Sequence, residues 1–226
     1  MGSWVRTSGL AAAVIVSSLA GSVGFAQDAA PQGDPVRGAP LGNTCLGCHG
    51  VPHYKNSFPN YSVPKLVGQH PEYIVIALKA YRTSERAHLT MHAQASSLSD
   101  QDMADVAAYL ARAAITAPAP AEGAAAPAAS GKMPESAQVC VACHGTEGVG
   151  IMGQYPTLSG QHKDYLVRAL TDYKKGGRKN PIMATFAGQL NEQQIDELAE
   201  YFSKKRPALE TFPKPASRWS GKTVQR

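Results

Sequence analysis

All four cysteines of the chain fall in two short stretches, Cys45-Leu46-Gly47-Cys48-His49 and Cys140-Val141-Ala142-Cys143-His144. Each reads Cys-x-x-Cys-His. Two thiols about one helical turn apart can add to the vinyl groups on one edge of a porphyrin. The histidine that follows is then held beneath the metal, where its imidazole can bind iron. A thioredoxin-like redox pair or half of a zinc site would also use Cys-x-x-Cys. Neither demands a histidine directly after the second cysteine, and neither accounts for a second copy. The pattern predicts two covalently bound haem c groups, attached at Cys45, Cys48, Cys140 and Cys143, with His49 and His144 as proximal iron ligands.

An iron held by one imidazole has a second axial position, and its occupant decides between electron transfer and chemistry on a bound molecule. Met91 and Met183 are the methionines at equivalent places in the two halves, each about forty residues past its motif histidine. Both read as lying in a polar loop between two helices, so the chain can pass round the porphyrin and return on its other face. Thioether sulfur is soft and neutral, favours ferrous iron and raises the potential. His88 and His92 flank Met91 and compete with it as candidates. Met103 sits on a helical stripe and reads as core filling. His70 and His162, each after Gly-Gln at a helix start, and His53 in a loop read as structural. Pro64 and Pro156 lie in the loop beyond each motif, where a backbone carbonyl can bond the proximal histidine, fix its ring and tune the iron.

The elements that must position these residues occur twice. Pro64-Lys65-Leu66-Val67-Gly68-Gln69-His70 matches Pro156-Thr157-Leu158-Ser159-Gly160-Gln161-His162 at an offset of 92, which also relates Tyr73 to Tyr165, Tyr81 to Tyr173 and Met91 to Met183. The cysteines are offset by 95, so the loop after the first motif carries three extra residues. One supersecondary unit is duplicated. In the first copy, residues 27–40 read as a loosely ordered polar arm, and Val51 to Ser62 as a loop. A helix begins near Pro71 with Ile74, Ala77 and Leu78 inward, and Ser99 with Asp102 signals a capping box before Met103, Val106, Ala107 and Leu110. Asn191 with Gln194 restates that signal in the second copy. The fold class is all-α: two tandem domains, 27–112 and 135–206, joined by an Ala/Pro-rich linker at 113–134 and followed by a basic tail at 207–226.

At 226 residues with a net charge of +5, the chain has room for two small domains, each of which gains an apolar plate to fold around. No aromatic-interleaved basic platform for nucleic acid is present. A charge near zero in 27–115 and +4 in 116–226 reads as a dipole for docking redox partners. Residues 1–26 read as a leader cleaved after Ala26, with an uncleaved anchor as the alternative: one early arginine, an apolar run from Leu10 to Ala20, and the small residues of Gly24-Phe25-Ala26. Export to the periplasm follows, with no membrane span in the mature chain and peripheral association left open.

On these residues the chain resembles the dihaem cytochrome c4 family. The two motifs run on as Cys-x-x-Cys-His-Gly through Gly50 and Gly145. The other matching residues are the paired Gly-Gln-His segments, Asn180-Pro181-Ile182-Met183-Ala184 and Leu98-Ser99-Asp100-Gln101-Asp102-Met103-Ala104-Asp105. The resemblance covers about 40–112 and 135–206. It implies two class I cytochrome c domains related by a pseudo-twofold, His/Met ligation of each iron, and single-electron transport in the periplasm towards a haem–copper terminal oxidase. Quinol–cytochrome c reductase and a periplasmic dehydrogenase are the other candidate redox partners. Contact between the domains is an expectation of the resemblance alone, since eighteen linker residues at about 3.1 Å each would reach over about 50 Å. The rival functions are the cytochrome subunit of a periplasmic dehydrogenase, and a haem enzyme or sensor with one open distal site; the carrier itself would not be an enzyme.

Overall fold

A computed structural model of the chain describes residues 1–2, 32–112 and 132–211. The expected leader, most of the Ala/Pro-rich segment and residues 212–226 of the tail lie outside the described residues. From Gln32 onward the described chain belongs to one compact unit. Its first half holds α1 (Pro35–His49), α2 (Pro71–Arg82), α3 (Leu89–Ser96) and α4 (Asp100–Arg112). The second half holds a 3-10 turn (Glu135–Ala137), α5 (Val141–His144), α6 (Lys163–Lys175), α7 (Pro181–Gly188) and α8 (Glu192–Ser203). Among the described residues no helix is long and apolar enough to cross a membrane.

Helices α2, α4, α6 and α8 build the two cores. Ile74 and Leu78 of α2 meet Met103, Val106, Ala107 and Leu110 of α4, with Ala95 of α3. Leu166 of α6 meets Leu198, Ala199, Tyr201 and Phe202 of α8, with Ala137 of the 3-10 turn. Both capping boxes form. Asp102 Oδ2 accepts from the Ser99 backbone N–H at 3.0 Å while the Asp102 N–H donates to Ser99 Oγ at 3.1 Å. Asn191 and Gln194 make the same reciprocal pair ahead of α8. Each satisfies two N–H groups that the helix cannot.

Three expectations are corrected. The arm read over 27–40 is helical from Pro35. Asp34 accepts from the Val36 N–H at 2.8 Å, and Pro35 takes a first position that needs no N–H. The sequence of α1 hides this, since it holds Pro40 and three glycines. Two of those glycines admit α4: a methyl on Gly38 would overlap the Asp105 carbonyl, and one on Gly42 would lie 2.9 Å from the Tyr109 ring. Next, the stretch Val51 to Ser62 contains a hairpin, β1 (Lys55–Asn56) antiparallel to β2 (Tyr61–Ser62). Finally, Met91 and Met183 lie not in loops but in the first turns of α3 and α7.

Asp105 fastens α1 to α4. Fully buried, it accepts from the Asp34 N–H at 2.7 Å and pairs with Arg37 at 2.8 Å, and these partners hold its carboxyl below the usual range. Asp105→Ala leaves the Asp34 N–H without its acceptor. The expected loss is about 2 kcal/mol, read as a fall of about 4–8 °C in melting temperature. In the parent protein this contribution is present above the ordinary carboxylate range and vanishes as pH falls through the lowered value.

The halves face each other reciprocally. Gln69 Oε1 accepts from the Thr157 N–H at 2.9 Å and its Nε2 donates to the Thr157 carbonyl at 3.1 Å. Gln161 does the same to Lys65, both bonds at 3.0 Å. Since Gln161 and Thr157 are the 92-offset counterparts of Gln69 and Lys65, this is the signature of a local two-fold. Arg86 and Arg178, another such pair, face each other in an antiparallel bridge, and Val67 bridges Glu210.

Candidate functional site

Both motifs end a helix. In the first half Cys45, Cys48 and His49 occupy the last turns of α1; in the second, Cys140 caps α5 and Cys143 and His144 finish it. No disulfide joins any of the four cysteines. Burial pushes the Cys45 and Cys140 thiols up. Each motif histidine is held by the loop that follows. His49 Nδ1 donates to the Pro64 carbonyl at 2.8 Å, and His144 Nδ1 to the Pro156 carbonyl at 2.9 Å. With the proton on Nδ1, the lone pair of each ring lies on Nε2. Burial pushes both imidazoles below the ordinary range, against the opposing carbonyl bond, so each ring is neutral and able to donate to a metal.

The two methionines enter by matching geometry with different caps. In α7 the Asn180 side chain accepts from the Met183 N–H at 2.9 Å. In α3 the cap is His88, whose Nδ1 accepts from the Met91 N–H at 3.2 Å while Nε2 donates to Asn56 Oδ1 of β1 at 3.2 Å. Both ring nitrogens of His88 are thus engaged, and His92 Nδ1 donates to the Tyr81 carbonyl at 2.9 Å. Ser96 Oγ lies 3.4 Å from His92 Nε2, so both ring nitrogens of His92 also have protein partners. Met91 and Cys45 border the same core cluster. His70 is structural, its Nε2 donating to the Gly150 carbonyl at 3.0 Å.

Between the halves lies a feature that motif reading passed over. Arg86 and Arg178 are each only 6% exposed, enclosed by Tyr73, Tyr81, Tyr165 and Tyr173. The Arg86 guanidinium lies 4.7 Å from the Tyr81 ring centre and donates to the Tyr165 hydroxyl at 3.2 Å. Burial pushes the Tyr165 phenol up, but the two guanidinium groups outweigh it and bring it down to about 8. Arg86 Nε has no partner among the described residues, and the nearest carboxylate to Arg178 is Asp172 at 3.8 Å. Two buried cations with so little anionic company fit a group that carries carboxylates, as the propionate side chains of haem do. The donor set of paired thiols, neutral imidazoles and thioethers fits the same group. The signal for these arginines was present in the sequence, since they too stand 92 residues apart.

Comparison with known proteins agrees with this chemistry. The family described as cytochrome c matches residues 36–114 and 128–205. Cytochrome c4 of Pseudomonas aeruginosa is 32% identical over 196 residues, covering 83% of this chain and 96% of that protein. A thiosulfate dehydrogenase electron acceptor of Stutzerimonas stutzeri is 32% identical over 174 residues, 73% of this chain and 80% of the relative. The crystal structure of reduced cytochrome c4 from Pseudomonas stutzeri matches with a TM-score of 0.57 at 28% identity, covering 76% of this chain and 99% of that one. The chain therefore belongs to the cytochrome c family and, within it, to the dihaem cytochrome c4 group, with two haem c groups as its cofactors and electron transfer as its work.

Proposed function

We propose that this dihaem cytochrome is a periplasmic shuttle that carries single electrons towards a haem–copper terminal oxidase, with quinol–cytochrome c reductase or a dehydrogenase as donor. The mature chain would begin after Ala26, with the two domains at 27–112 and 135–206. Cys45, Cys48, Cys140 and Cys143 anchor the porphyrins. His49 and Met91 are the axial ligands in the first half, His144 and Met183 in the second. Haem iron, when bound, supplies the one-electron couple. The Pro64 and Pro156 carbonyls keep each imidazole in one tautomer, His88 and Asn180 hold the methionine-bearing turns, and Arg86 with Arg178 offers the propionates a buried positive partner.

The observation that carries this reading is that the same parts occur twice: a neutral histidine fixed through Nδ1 and a methionine on a capped first turn. Two closed sites suit a carrier, because both iron states keep the same ligands and little rearrangement accompanies transfer. Optical spectroscopy tests it. The ferric protein should show the sulfur-to-iron charge-transfer band for both haems, and the reduced protein should not bind carbon monoxide. Rapid binding at one haem would overturn the carrier reading in favour of catalysis or sensing there.

The relative named as a thiosulfate dehydrogenase electron acceptor favours a second reading, in which the chain takes electrons from a dehydrogenase in a stable complex. A dehydrogenase chain that co-purifies with it and reduces it on adding thiosulfate would establish that reading.

A further inference from the structure

We propose that each half carries the residue that tunes the other half's iron: Gln161 acts on His49, and Gln69 acts on His144. The inference rests on the assignment of His49 and His144 as proximal ligands. The Pro64 carbonyl that accepts from His49 Nδ1 at 2.8 Å and the Lys65 N–H that donates to Gln161 Oε1 at 3.0 Å belong to a single peptide unit. In the second half the Pro156 carbonyl accepts from His144 Nδ1 at 2.9 Å, and the N–H of the same peptide, that of Thr157, donates to Gln69 Oε1 at 2.9 Å. A peptide unit is planar and conjugated, so an acceptor on its N–H makes its oxygen more negative. The carbonyl then draws harder on the Nδ1 proton, the imidazole becomes a stronger donor, and ferric iron is favoured.

The glutamines also fix geometry. Gln161 Nε2 returns a bond to the Lys65 carbonyl and Gln69 Nε2 returns one to the Thr157 carbonyl, so each side-chain amide grips its target residue on both sides. Each amide oxygen takes a further bond from the N–H of the next residue, His162 or His70, at 3.1 Å. The side chains have little room to leave, with Gln161 4% and Gln69 5% exposed. Gln161 and Gln69 are therefore positioning residues that act across the interface through one peptide each. A donor or acceptor that loosens the two halves would alter both potentials without touching either iron.

The test uses the full-length protein with both haems attached. Gln161→Met keeps the length of the side chain and removes both bonds; Gln161→Glu keeps an acceptor oxygen for the Lys65 N–H. Potentials are assigned to each site by following its haem methyl resonances during a redox titration, and the His49 and His144 Nδ1–H resonances are recorded alongside. Gln161→Met is expected to favour ferrous iron at the Cys45–Cys48 haem by about three- to tenfold, equal to about 30–60 mV for a one-electron couple. The His49 Nδ1–H signal should move while the Cys140–Cys143 haem, in the half that carries Gln161, stays put, and Gln161→Glu should not produce the rise. Gln69→Met should do the converse, and it carries the test if Gln161→Met does not fold. A shift confined to the substituted half, an equal shift at both haems, or none overturns the proposal. Parent protein lacking a histidine ligand at either site would instead overturn the ligand assignment beneath it.

Discussion

Replacing Cys140 and Cys143 together by alanine is expected to halve the covalently bound haem per chain and to unfold the second half. The main core cluster of that half, among the described residues, is Ala137, Leu166, Leu198, Ala199, Tyr201 and Phe202. A domain so small buries too little surface to offset chain entropy without a further apolar body to fold around. Its motif helix is also short, since α5 runs only Val141–His144 whereas α1 spans Pro35–His49 and lies along α4. The matching Cys45→Ala/Cys48→Ala protein should lose the other half of the haem but retain more helix, because Asp34, Asp105 and Arg37 still fasten α1. Pyridine haemochrome absorbance against protein concentration gives the haem count, and far-ultraviolet circular dichroism gives the helix remaining. Equal loss of helix in both variants would remove the role assigned to α1.

Met183→Ala should open the second iron. With the thioether gone, the ferric charge-transfer band should fall to about half, the reduced protein should bind carbon monoxide at one haem, and that haem's potential should drop by about 100 mV or more, within the range axial ligands command. Met91→Ala should do the same in the first half. His88 sits three residues before Met91 with a ring that bonds iron well once freed, whereas Asn180 stands at the equivalent place before Met183. Met91→Ala is therefore expected to bind carbon monoxide more weakly than Met183→Ala, and Met91→Ala/His88→Asn to match it. An unchanged spectrum in either single variant would remove that methionine from the iron.

The two Cys-x-x-Cys-His haem sites were legible because covalent haem chemistry dictates their spacing, and the amphipathic helices because their inward residues recur at three and four. Helix α1 was not. Its stability comes from the close approach of α4 at Gly38 and Gly42 and from Asp105, 71 residues away from the Asp34 it holds. The short helices around the methionines were missed for a related reason: eight residues give little periodicity, and their start depends on His88 and Asn180, the first of these not a usual capping residue. Gln69 and Gln161 were visible as a repeated Gly-Gln-His, but nothing local says that each amide will close on a backbone in the other repeat. Repetition marked these residues; only tertiary structure says what they touch.

The bridge between Val67 and Glu210 brings the end of the second half back across to the first. The halves are thus joined by several further contacts: the reciprocal glutamines, the bridge between Arg86 and Arg178, and Ser62 with Lys55 on Asp164 of α6. Whatever path residues 113–131 take, they do not have to hold this geometry; they have only to keep the partners within reach of each other. The molecule is in effect a heterodimer written on one chain. A protease cut in that segment should leave two polypeptides that still migrate as one particle with both haems, and genes encoding the halves separately should reassemble it.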